Sequence, residues 1–338
     1  MKISVFRWIL CALATAAFPP LAHAQARFDP ATRIFRLDGG QVTYAFGVNT
    51  AGALQSLYWG PRLASSDKLE VVTPRDLSGF DPSSSITPQE YPGWGGPLYT
   101  EPALKLAYPD GVRDVVLTFQ SGRAEGNSII VEMSDISRPL HVTLRYNIDP
   151  ATGIVGRSAI IRNDTRTAVR IDQAFSAAWS LPAQSDYHLH YLTGRWAAEW
   201  SLQDRPLTEG ATVIESRRGS TGMQANPWFA IDRAGLSTEE EGPVWFGALA
   251  WSGSWRISVD RNPLGDVRVV GGFNPFDFAY QLKPGESLET PVFYGGYSNQ
   301  GMGGASRLLH HFEMRNILPQ KPEPRLRPIL YNSWEATE

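Results

Sequence analysis

Strand-type segments follow one another along almost the whole chain, and no helical segment alternates with them. From residue 27 to about residue 319, short apolar runs are separated by Gly-, Pro-, Asn- or Asp-bearing turns at roughly ten-residue spacing. Ile34-Phe35-Arg36-Leu37, then Asp38-Gly39-Gly40, then Gln41-Val42-Thr43-Tyr44-Ala45-Phe46 reads as a hairpin. Further strands are predicted at 54–59, 115–119, 128–133, 141–148, 154–162, 168–171, 244–250, 254–259, 267–270, 278–282 and 291–297. Asn163-Asp164-Thr165 and Lys283-Pro284-Gly285-Glu286 are turns, and Gly295-Gly296 and Gly303-Gly304 are read as turn glycines. Strands in this number, without crossover helices, predict an all-β fold. The expected architecture is a large antiparallel β-sandwich, built as one piece or as two fused halves.

One helix is predicted, at 304–316, with Ser306 able to start it and with Leu308, Leu309, Phe312 and Ile317 spaced for one face. Pro319, Pro322, Pro324 and Pro328 then make a stiff linker. The segment 72–102 is rich in Pro, Ser and Gly, with Asp76, Phe80, Asp81, Glu90, Tyr91 and Trp94 scattered through it. An irregular loop of that length is expected to be either functional or disordered.

The first residues read as a targeting segment. Lys2 and Arg7 give a positive start, 8–18 is apolar, Pro19-Pro20 breaks the run, and Ala22-His23-Ala24 fits the small-x-small cleavage rule. Residues 1–24 are therefore expected to be a signal peptide, with export to the periplasm or beyond and no membrane anchor afterwards. The single cysteine, Cys11, falls inside that segment, so the mature protein is expected to carry no disulfide or thiolate chemistry. A net charge of −3 without a basic patch argues against nucleic acid as a partner. Eleven Trp and twelve Tyr suit a protein that handles sugars, whose C–H faces stack on aromatic rings, although large sheets also use these residues for packing.

Local motifs exclude several chemistries. His188-Leu189-His190 on a strand would send both imidazoles to one face, but no third ligand lies nearby, so no metal site or other cofactor is expected. His310-His311 on a helix diverge by about 100°. No nucleophile elbow, P-loop or dinucleotide fingerprint appears in the right context. A glycosidase pair of carboxyls, about 5 Å apart for retention and farther apart for inversion, is not visible from sequence alone. Asp76, Asp81, Glu90 and Glu335 are the acidic residues in distinctive settings.

Four segments resemble the N-terminal region of the α-galactosidases of glycoside hydrolase family 36. They are Glu90-Tyr91-Pro92-Gly93-Trp94-Gly95 with Glu101-Pro102-Ala103, and Glu215-Ser216-Arg217-Arg218-Gly219 with Asn226-Pro227. The third is Asn274-Pro275-Phe276-Asp277-Phe278 with Leu282, Pro284-Gly285-Glu286, Tyr297-Ser298 and Gln300-Gly301. The fourth is Arg327-Pro328-Ile329-Leu330 with Asn332 and Trp334-Glu335-Ala336-Thr337. The resemblance implies a β-supersandwich at 25–318, a linker at 319–327, and, at 328–338, the first strand of a (β/α)8 catalytic barrel whose remainder is missing here. It implies hydrolysis, with retention, of terminal α-linked galactose in melibiose- or raffinose-type galactosides by a homo-oligomeric enzyme. Both catalytic aspartates would lie on later barrel strands, so no residue of this chain is expected to be catalytic. Two positions carry over as substrate-binding residues. Trp334 would line the galactose pocket, and Asp76 would reach a sugar, in some oligomers a neighbour's. Phe80 would be the apolar companion of Asp76, and Asp81 competes for the same role. The alternative reading is a non-catalytic carbohydrate-binding or oligomerisation module.

Overall fold

A computed structural model of the chain describes residues 25–319 and 326–333, apart from Gly79, Asp81, Gln184, Ser185 and Gly235. Four strands come first: β1 (Gln25–Asp29), β2 (Ile34–Gly39), β3 (Val42–Val48) and β4 (Leu54–Pro61). They form a four-stranded antiparallel sheet in chain order. The expected hairpin is β2–β3, and Gly40 takes the left-handed conformation (φ 51°) that closes it. A one-turn helix, α1 (Ser83–Ile86), interrupts the 72–102 loop, and β5 (Leu104–Ala107) follows it. Next come β6 (Leu117–Glu125), β7 (Ser128–Asp135), β8 (Leu140–Ile148), β9 (Val155–Asn163) and the 13-residue β10 (Val169–Leu181). The later strands are β11 (Tyr187–Arg195), β12 (Ala198–Pro206), β13 (Gly210–Ser216), β14 (Trp228–Arg233) and β15 (Val244–Leu249). They continue as β16 (Trp255–Arg261), β17 (Val267–Phe273), β18 (Tyr280–Leu282), β19 (Ser287–Glu289) and β20 (Phe293–Ser298). Helix α2 (Gly301–Phe312) runs into a π-helical turn, Glu313–Ile317.

The remaining strands make two sheets. One has the order β13-β16-β17-β10-β18, with β5 also on β10. The other has the order β12-β11-β14-β15-β20-β9-β8-β7-β6, with β19 on β9. Every strand pair is antiparallel, as the strand spacing predicts. An aromatic spine fills the space between the sheets. Phe46 stacks on Tyr146 at 4.5 Å, Trp59 lies 4.9 Å from Trp179, and the edge of Tyr44 meets Trp179 at 5.5 Å. All of these side chains are buried, so much of the aromatic content packs the core.

Two sequence expectations need correction. Gly295 and Gly296 are not turn residues. They lie inside β20, where a Cβ would stand 2.8 Å from the Trp179 ring and 2.3 Å from that of Phe246. Glycine is required there because large rings of the core press on the strand backbone. The helix also starts earlier than 304, at Gly301, and contains Gly303 and Gly304. Its first turn abuts the 238–239 backbone, with a Cβ at Gly301 only 2.2 Å from the Thr238 carbonyl oxygen. Phe312 is buried as expected, but Ile317 is exposed, because the π-helical turn rotates it off the packed face. Residues 326–333 form neither helix nor strand and are exposed.

Candidate functional site

The 72–102 loop divides into two halves of opposite character. Its first half lies on the surface, where Asp76 and Phe80 are both exposed, Phe80 at 91%. One Asp76 oxygen accepts the Ser83 amide at 2.6 Å, so this carboxylate caps the first turn of α1. The structure thus places Asp76 and Phe80 on one exposed segment, with the aromatic ring in solvent. Asp81 and Trp334 lie outside the described residues.

The second half dives into the sandwich. Glu90, Tyr91, Pro92 and Gly93 are buried, and irregular backbone there finds partners on both sides. The Glu90 amide donates to Leu54, the Ala178 amide donates to Glu90, and Trp94 exchanges with Leu104 and Val115. Gly93 and Gly95 pass so close to Val115 that a Cβ would meet its carbonyl oxygen at 2.4 and 2.6 Å.

Glu90 is the anchor. Its carboxylate is fully buried and pairs with Arg157 of β9 at 2.9 Å. The Tyr44 hydroxyl sits 2.8 Å from both carboxylate oxygens, and the Tyr146 hydroxyl donates at 3.0 Å. Arg157 donates further to the carbonyls of Ala178 (2.7 Å) and Glu90 (2.9 Å), and its guanidinium lies 4.7 Å from the centre of the Trp179 ring. Burial pushes the Glu90 carboxyl above its ordinary value, against the opposing pull of Arg157 and the tyrosine hydroxyls. Burial pulls the other way on Arg157, but Glu90, Tyr44 and Tyr146 together outweigh it, so the guanidinium stays charged. The network can hold backbone. With no exposed group it cannot do chemistry on a substrate.

Two further segments singled out in the sequence meet in space. Asn274 donates to Glu215 (3.1 Å), to the Ser216 carbonyl (3.1 Å) and to the Trp255 carbonyl (3.0 Å). Arg217 pairs with Glu215 at 2.5 Å and lies over the Phe276 ring at 4.4 Å. A single asparagine amide therefore ties the 215–219 turn to the 274–278 turn at one end of the β13–β16–β17 sheet.

His188 and His190 share one face of β11, but each is occupied by an aspartate. His188 bonds Asp204 at 2.8 Å and His190 bonds Asp232 at 3.0 Å. Among the described residues no group of three or more His, Cys, Asp or Glu side chains could hold a metal ion. Also among them, no helix is long and apolar enough to cross a membrane. Sequence reasoning missed Arg157. An arginine in the middle of the apolar 154–161 run was the available signal, because an arginine on a buried strand must find a partner.

The family model described as the glycosyl hydrolase family 36 N-terminal domain matches residues 52–283. The chain is 29% identical to alpha-galactosidase AgaA of Geobacillus stearothermophilus, over 92% of this chain and 46% of that protein. It is also 29% identical to a probable alpha-galactosidase C of Aspergillus terreus, over 89% and 42%. Among solved structures, the alpha-galactosidase AgaB of Geobacillus stearothermophilus superposes with a TM-score of 0.84 at 28% identity, covering 92% of this chain and 46% of that one. A variant of AgaA crystallised in complex with raffinose superposes with a TM-score of 0.81 at 28% identity, covering 90% and 46%. The chain spans about half the length of the curated relatives it matches.

Proposed function

The chain belongs to glycosyl hydrolase family 36, and from that premise we propose that it is the N-terminal sandwich of an exported α-galactosidase. The whole enzyme removes terminal α-linked galactose from melibiose- or raffinose-type sugars with retention. The sandwich carries no catalytic residue. Its part is to present the 72–102 loop to a sugar site, with Asp76 accepting hydrogen bonds from sugar hydroxyls and Phe80 packing beside it. Trp334 lines the galactose pocket where the catalytic barrel begins, and the enzyme assembles as a homo-oligomer in which such loops reach a neighbour. Cleavage before Gln25 removes none of the described residues.

The observation that carries this reading is the extent of the likeness. The superposition on AgaB runs through 92% of the chain. The placement of Asp76 and Phe80 on an exposed loop with a buried root supports their role. The test is kinetic. The chain alone is expected to leave 4-nitrophenyl α-galactoside intact. Joined in frame to the part of AgaA that follows the matched segment, it is expected to hydrolyse that substrate. In the joined enzyme Asp76→Ala should raise KM about tenfold or more, the loss of a hydrogen bond to a charged group. Turnover by the unjoined chain, or an unchanged KM in the variant, would overturn the proposal.

A further inference from the structure

A groove of about 700 Å³ opens on one face of the β13–β16–β17–β10 sheet, in the size range of small-molecule sites. Its floor is a row set by strand register. Ala211 stands opposite Asp260, Asp260 opposite Arg268, and Arg268 opposite Ser180. Directly opposed residues of antiparallel strands share a face, so all four side chains belong to the same surface. Three of them carry a buried polar atom without a protein partner: Asp260 Oδ2, Arg268 Nε and Ser180 Oγ. Arg268 is 8% exposed. The remaining bonds only steady the row. Asp260 Oδ1 accepts from Ser258 at 2.9 Å, and Arg268 Nη2 donates to the Glu101 carbonyl. The walls are apolar and aromatic, with Tyr58 and Trp59 from β4, Ile86 from α1 and Tyr99 from the 72–102 loop.

Three adjacent orphan groups along one groove call for a shared occupant, since each unmade bond on a buried polar group is costly. The row holds an acceptor, a donor and a hydroxyl that can be either. A carboxylate and a guanidinium side by side disfavour an anion and a cation alike. Burial supports this by raising Asp260 and lowering Arg268 relative to their ordinary values, so each ion lacks solvation that a hydroxyl could restore. A ligand with several hydroxyls and an apolar ring face meets every condition.

We propose that this groove is a binding site for a neutral sugar of mono- to disaccharide size, held by Asp260, Arg268 and Ser180 against aromatic walls. The site stands on its own geometry and does not rest on the galactosidase reading.

Ligand-observed NMR and isothermal titration of the full chain with galactose, glucose and melibiose test it. Saturable millimolar binding of at least one of these sugars is expected. Asp260→Asn, which keeps the shape of the side chain, should weaken that binding about tenfold or more, the loss of a hydrogen bond to a charged acceptor. Ala211→Trp, a substitution at an exposed position of β13, should fill the groove and abolish binding while near-ultraviolet circular dichroism stays native. Arg123→Ala, at an exposed position of β6 away from the groove, should leave binding unchanged. Absence of saturation with all three sugars overturns the proposal. So does binding that survives Ala211→Trp at full affinity, an arm that decides the matter even if Asp260→Asn does not fold.

Discussion

Replacing Arg157 by Met would remove one member of a fully buried ion pair and leave Glu90 with two tyrosine hydroxyls and no cation. The carboxylate would keep the hydroxyls of Tyr44 and Tyr146 at 2.8 and 3.0 Å, but no positive charge. Two backbone carbonyls, of Ala178 and Glu90, would each lose the guanidinium as a donor. Breaking a buried pair from one side costs about 3–5 kcal/mol. A second route gives the same scale. The protein can escape by protonating Glu90, and holding a carboxyl of ordinary pKa about 4.3 neutral at pH 7 costs about 4 kcal/mol. The two routes differ in their pH dependence. In the variant, the folded-state pKa of Glu90 is raised above its unfolded value. The penalty is then absent below the unfolded pKa and grows as pH rises toward the folded one, so it should fall to about 1–2 kcal/mol by pH 5. The assay is urea unfolding followed by tryptophan fluorescence, since Trp59 and Trp179 lie together beside the pair. Glu90→Leu combined with Arg157→Met should recover most of the loss, because an apolar pair of similar volume has no charge to desolvate. A loss under about 1 kcal/mol at pH 7, a loss independent of pH, or simple additivity in the double variant would refute the reasoning.

Gly296→Ala should destabilise the fold by about 1–3 kcal/mol in the same unfolding assay, because its Cβ would fall 2.3 Å from the buried Phe246 ring. Gly285→Ala meets nothing within 4 Å, yet its φ of +78° should make it cost about 1 kcal/mol through backbone strain alone. Burial raises Asp172, but hydrogen bonds from Arg170 (2.8 Å) and Arg113 (2.6 Å) outweigh it and hold the carboxyl below its usual range. Its contribution is present above the unfolded pKa and lost as pH falls through the folded one. Asp172→Asn should therefore cost at most about 1 kcal/mol at neutral pH and nothing in strong acid, as read from thermal unfolding across pH.

Strands with one wet face were legible in the sequence, and strands without one were not. In β7 and β8 burial alternates along much of the strand, and the predicted runs at 128–133 and 141–148 lie on them. The β10 strand was read only at 168–171, because Gln173 to Trp179 is buried on both faces and carries no two-residue alternation. The β12 strand failed for the opposite reason. It is exposed almost throughout, and its apolar residues Trp200 and Leu202 face solvent rather than a core. The root of the loop was legible through Glu90-Tyr91-Pro92-Gly93, whose buried backbone now explains why a glutamate and two glycines stand there. The groove was not legible at all. Its floor is assembled from positions 180, 211, 260 and 268 by the register of four strands, and no local pattern encodes that juxtaposition.

A buried ion pair is a poor way to gain stability, since a well-packed apolar pair does as well. What Glu90 and Arg157 provide that leucine and methionine cannot is direction. The guanidinium binds the Glu90 carboxylate and carbonyl and the Ala178 carbonyl together, fixing where the loop enters the sandwich. From that entry point the chain runs back through Pro88, Thr87 and Ile86 and onward to Tyr99 and Glu101, all of which line the groove. Glu101 also accepts from Arg268, so the far end of the loop is tied to the groove floor. The apolar double variant therefore separates the two roles. It should unfold at nearly the wild-type urea concentration and still lose sugar binding in the titration that Ala211→Trp abolishes. If it binds as tightly as the wild type, the pair does not position the loop, and its presence has to be explained by folding alone.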